Sequence, residues 1–149
     1  MEWLNPWGLL FMGVIMIPNV VFALKRKDGF TDPYENRFVE ALEQIGRFGC
    51  FAFMIIHVPG TWFGWWSDEA FAVYLIGSAA LSAVYCAMWV VLWRRNGVVR
   101  ALALSVLPAA LFLFSGVMSR SIPLLASAAL FAPCHIFISY KNAKLAAEQ

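Results

Sequence analysis

Three side chains carry most of the chemistry that this sequence offers within its apolar stretches: Glu43, Arg47 and His135. Glu43 and Arg47 stand at i and i+4, the spacing at which a carboxylate and a guanidinium on one helix form an ion pair. With Glu40 and Gln44 they make a polar face, and almost everything after Arg47 is apolar up to Val58. An arginine at the centre of a membrane span costs at least ~2.5–3.5 kcal/mol on insertion scales, so it faces a partner or a water-filled cavity. His135 follows Pro133, whose ring frees a backbone carbonyl one turn earlier and bends the helix there. A carboxylate or an imidazole can act as general base, and a guanidinium can hold a phosphate. Cys50, Cys86 and Cys134 lie in apolar runs without CxxC spacing and read as inert buried thiols. Glu43, Cys134 and His135 have no metal-motif spacing, so no metal is assigned, and the sequence leaves any cofactor unknown.

The elements that position these groups follow from composition. The chain has 149 residues, 62% of them hydrophobic and 13% charged, with mean hydropathy +0.71. Soluble domains average roughly 45–50% apolar and about 25% charged. An integral membrane protein of one domain, 1–149, is therefore expected. A net charge of +2 is too small to point to nucleic acid.

Five spans can be read, at about 3–24, 38–58, 70–93, 98–118 and 121–140. The first has Glu2 before it and Lys25-Arg26-Lys27 after it, the reverse of a cleavable signal peptide. Gly29 and Thr31-Asp32-Pro33 signal the turn into the second, with Asp32 as cap, Pro33 at the first helical position and Glu35 at the third. Trp62, Trp65 and Trp66 after Pro59-Gly60 read as an aromatic belt at headgroup level. His57, Asp68 and Arg120 gather at the same end and read as ordinary interfacial polar residues. Ser78, Ser82, Tyr85 and Trp89 share a stripe of the third span. Arg94-Arg95-Asn96-Gly97 and Ser119-Arg120-Ser121 are tight corners.

Lys25, Arg26, Lys27, Arg37, Arg94, Arg95, Arg100, Lys141 and Lys144 flank one side of this five-transmembrane-helix bundle, and Arg120 alone the other. The positive-inside rule then places the amino terminus out and the carboxyl terminus in the cytoplasm of a multi-pass cell-membrane protein.

Counting from the flanking residues at 1.5 Å per residue puts Asn19, Glu43, Ser105 and His135 about 8–9 Å inside the cytoplasmic boundary, with Tyr85 about 12–14 Å deep and Arg47 near the midplane. Five helices thus bring polar groups to nearly one level. This layer is the candidate ligand site: Asn19, Glu43, Gln44, Arg47, Tyr85 and His135.

Five spans in this length, many tryptophans and a tight fourth-to-fifth hairpin resemble the tryptophan-rich sensory (translocator) protein family. The run Leu130-Phe131-Ala132-Pro133-Cys134-His135-Ile136-Phe137-Ile138-Ser139-Tyr140-Lys141-Asn142 is similar to its last helix. That resemblance implies porphyrin or sterol binding, but Glu43-Gln44-Ile45-Gly46-Arg47 stands where the family has a Trp- and Pro-rich signature. The whole chain more closely resembles small multi-pass membrane proteins of Gram-positive bacteria, through Glu43-Gln44-Ile45-Gly46-Arg47-Phe48-Gly49 and Met118-Ser119-Arg120-Ser121. No activity carries over from that group.

The sequence therefore leads to a protein that binds, senses or carries a small or lipid-like molecule in a cytoplasm-facing intramembrane pocket. An intramembrane enzyme on a lipid or isoprenoid substrate is the alternative, with Glu43 or His135 as base and Arg47 holding an anionic group. A non-catalytic partner subunit, with Glu43–Arg47 purely structural, is the second. The partners implied are the bilayer and a small hydrophobic or anionic ligand, with a homo-oligomer left open.

Overall fold

The computed structural model describes residues 3–25, 33–95 and 97–148. Its architecture is all-helical: α1 Pro6–Lys25, α2 Arg37–Ile55, α3 Asp68–Val91, α4 Val98–Met118 and α5 Ile122–Ala147. Among the described residues there is no strand, only isolated bridges between Leu4 and Ile56 and between Trp62 and Ser121. The expected features at Arg26, Lys27, Gly29, Thr31, Asp32 and Asn96 lie outside the described residues.

Four helices, α1, α3, α4 and α5, are long and apolar enough to cross a membrane. The sequence leads one to expect five spans, and α2 is the helix that does not qualify. Glu40, Glu43 and Arg47 fall within it.

The local signals explain most helix ends. Asn5 caps α1, its Oδ1 accepting from the Gly8 N–H at 3.1 Å, and Pro6 fills the first position, where a missing N–H is harmless. Ser67 caps α3 through the Ala70 N–H, and Asp68 and Glu69 add negative charge to its first turn. The expected start of α2 is corrected. Pro33, Tyr34 and Glu35 are not helical, and Asn36 is the cap, accepting from the Phe38 and Val39 N–H groups while Glu40 reaches back to the Asn36 N–H. That reciprocal pair satisfies backbone donors on both sides of the helix start, four residues after the expected cap. Tyr34 is instead tied to α5 by a bond from its N–H to Asn142 and an edge contact with Phe137. α5 itself continues past the expected end at Tyr140 to Ala147.

Successive helices run antiparallel. At one end Asn5 joins the start of α1 to the Met54 carbonyl of α2 and the Tyr74 hydroxyl of α3. At the other, Phe22 of α1 packs on Trp89 of α3, and Arg100 of α4 covers both rings. Lys25, Arg37, Arg94, Arg95, Arg100, Lys141 and Lys144 therefore gather at one end. The core runs through Phe11, Ile15, Met54, Tyr74, Tyr85, Phe112, Leu124 and Phe131. Large apolar side chains remain on the outside of every helix, among them Ile17, Phe48, Ile76, Val106 and Ile122, the arrangement suited to lipid.

Candidate functional site

The site forms where α2 and α5 approach most closely. Gly46 lies directly against the backbone of Phe131, so that a Cβ there would sit 2.7 Å from the Phe131 nitrogen. Gly49, one turn further, packs against the side chain of Ser127. Absent side chains let the two backbones touch, the device by which small residues bring membrane helices together. Because the helices are antiparallel, Glu43, one turn before Gly46, then meets His135, one turn after Phe131.

Glu43 is 2% exposed. One of its oxygens, Oε1, accepts from Arg47 Nη2 and from His135 Nδ1, the latter at 2.8 Å. A carboxylate can only accept, so this bond places the imidazole proton on Nδ1 and turns Nε2 into the ring's free acceptor while the ring is neutral. The imidazole is held flat on Phe131, with centroids 4.6 Å apart. The side chains of Arg47 and His135 are 35% and 22% exposed, against 3% for Glu43. A buried anion thus sits behind two partly open donors, the Arg47 guanidinium and the His135 imidazole. No group of three His, Cys, Asp or Glu side chains converges as a metal site among the described residues.

No family model, curated protein or solved structure matches the chain.

The six residues of the expected polar layer do not form one cluster. Glu43, Arg47 and His135 meet between α2 and α5. Asn19 and Tyr85 pair separately between α1 and α3, exchanging bonds of 2.8 and 3.1 Å, and Asn19 also donates to the Ile15 carbonyl. Gln44 points to the outside of α2. Ser105 is buried on α4 and satisfied by the Ala101 carbonyl of its own helix. A shallow open depression lies near the end of α3, lined by Val90, Val91, Trp93 and Arg94, and none of the six residues lines it.

Among the described polar groups left out of the expected site, Asn5, His57 and Arg100 are buried. Asn5 is 6% exposed and links three helices. Its signal was the Asn-Pro pair opening an apolar run, a cap followed by proline at the first helical position. Arg100, counted among the flanking positive charges, is instead buried with its guanidinium 4.3 Å from the Phe22 ring centre and 5.1 Å from that of Trp89. Nothing in the sequence near Arg100 announces those rings, which come from α1 and α3.

Proposed function

We propose that the chain is a cell-membrane protein of five spans, amino terminus outside, that binds the anionic group of a small or lipid-like molecule beside Arg47. The observation that carries this reading is the uneven burial of the cluster. One carboxylate shut inside the bundle is shared by two donors that remain partly open. A guanidinium carries five N–H donors. Among the described residues, only Glu43 accepts from Arg47. At membrane depth the remaining donors attract an anion or water.

The orientation of α2 supports its role as a fifth span despite its charges. Its outward face carries Phe38, Ile45 and Phe48, at 72%, 64% and 66% exposure, while Glu43 faces α5. Apart from Arg37 at its first position and Gln44, the exposed residues of that helix are apolar, and the Glu43 carboxylate is turned to α5. The cationic end of the bundle supports a cytoplasmic location for that end by the positive-inside rule.

A second reading draws on the Glu43–His135 bond. A base held by a carboxylate, next to an arginine able to hold a phosphate, is the equipment of an intramembrane enzyme on a lipid or isoprenoid substrate.

The test is mass spectrometry of molecules extracted from the purified protein. Wild type is expected to carry an anionic amphiphile that Arg47→Gln lacks, with the two proteins melting within a few degrees of one another. The same molecules in both preparations would refute the binding site. Turnover of an added prenyl phosphate by wild type, lost in His135→Ala, would favour the enzyme.

A further inference from the structure

A second cationic group stands at the far end of the bundle, at the corner between α4 and α5. Arg120 has φ +50°, the left-handed region that a side-chain-bearing residue seldom occupies. Its guanidinium lies 4.7 Å from the Trp66 ring centre and 5.7 Å from that of Phe63. The Trp66 ring is held by its Nε1, which donates to the Val117 carbonyl at 3.0 Å, and the Phe63 backbone is held at the corner by its N–H, which donates to the Arg120 carbonyl at 3.3 Å. No carboxylate among the described residues pairs with Arg120. Asp68 and Glu69, close in sequence to Trp66, occupy the first turn of α3 instead.

We propose that Arg120, Trp66 and Phe63 form a binding site for the phosphodiester of an anionic lipid headgroup. The aromatic rings take the face of the guanidinium and leave its edges, where the N–H donors point, for a planar two-point grip on phosphate oxygens. The rings are more than half exposed, Phe63 at 54% and Trp66 at 64%, and tryptophan belongs at headgroup level, where lipid phosphates lie. The left-handed backbone aims the side chain across these rings, and local strain of this kind gathers at ligand clamps. This site needs only that the α4–α5 corner lie at the membrane surface, and it is independent of any ligand at Arg47.

The test compares retention of phosphatidylglycerol and phosphatidylcholine by the full-length protein in mixed micelles, read by native mass spectrometry. Wild type is expected to retain phosphatidylglycerol preferentially. Arg120→Asn removes the guanidinium but suits the left-handed backbone better than arginine, so the fold should hold while retention falls about tenfold. Trp66→Leu should weaken retention in the same direction while leaving the charge in place. Unchanged retention in Arg120→Asn, or equal retention of the two lipids by wild type, would overturn the proposal. Displacement of the lipid by millimolar glycerophosphoglycerol, the soluble phosphodiester with the same headgroup, would overturn the lipid as the source of the phosphodiester.

Discussion

Gly46→Ala offers a sharp test of how the charged cluster is assembled. The added methyl would stand 2.7 Å from the backbone nitrogen and 2.8 Å from the Cα of Phe131, where ordinary contact starts at 3.4 Å. Neither atom belongs to a flexible side chain, so α2 and α5 must part by about 0.7 Å. Carried along the pair, that shift takes the Glu43–His135 bond from 2.8 Å to about 3.5 Å, beyond normal hydrogen-bond length. Overpacking costs roughly 1–3 kcal/mol, and weakening a bond to a charged group adds to it, while alanine in place of a helix glycine returns about 1 kcal/mol. The net expectation is destabilisation by about 2 kcal/mol, measured by reversible unfolding of the protein in mixed micelles. Gly13→Ala is the matched control, since nothing lies within 4 Å of its added methyl. It should stabilise the protein by up to ~1 kcal/mol. If Gly46→Ala stabilised the protein as much as Gly13→Ala, the close approach of α2 and α5 would be refuted.

Other expectations concern single contacts. In a double-mutant cycle of Glu43→Ala and His135→Ala, the two changes should fall short of additivity by about 1 kcal/mol, because either one breaks the same bond; strict additivity would separate the residues. Tyr85→Phe should lower stability by only about 0.5–1 kcal/mol, since Asn19 keeps the Ile15 carbonyl, and no change in unfolding would exclude the α1–α3 pair. Arg100→Ala should cost about 2 kcal/mol through loss of the Phe22 and Trp89 contacts, with Arg100→Lys recovering part of it in the same unfolding assay.

Helix existence was legible because apolar runs of this length between charged or Gly/Pro-marked corners leave few alternatives, and the stripe Ser78, Ser82, Tyr85 and Trp89 faces inward as helical spacing requires. The start of α2 was misplaced because two capping patterns overlap, Asp32-Pro33 and Asn36 with Glu40; the structure uses the second. Depth could be counted from the boundary residues, but direction around each helix could not. Asn19 and Tyr85 were placed near the level of Glu43 by counting, yet they face a different helix pair. Gln44 shares the sequence neighbourhood of Glu43 and turns outward, since one step along a helix rotates the side chain by about 100°. The Glu43–His135 contact depends on Gly46 and Gly49 finding Phe131 and Ser127, a long-range pairing that neither segment reveals alone.

The Glu43–Arg47–His135 cluster lies at membrane depth only if α2 crosses the membrane with its charges against α5. Spin labels placed singly at 45, 48 and 52, with Cys50, Cys86 and Cys134 replaced by alanine, would measure what that outer face touches in a bilayer. High accessibility to oxygen and low accessibility to a water-soluble nickel reagent at 45, 48 and 52 is the predicted result. Free access of the nickel reagent to those positions would put α2 in water and contradict the account.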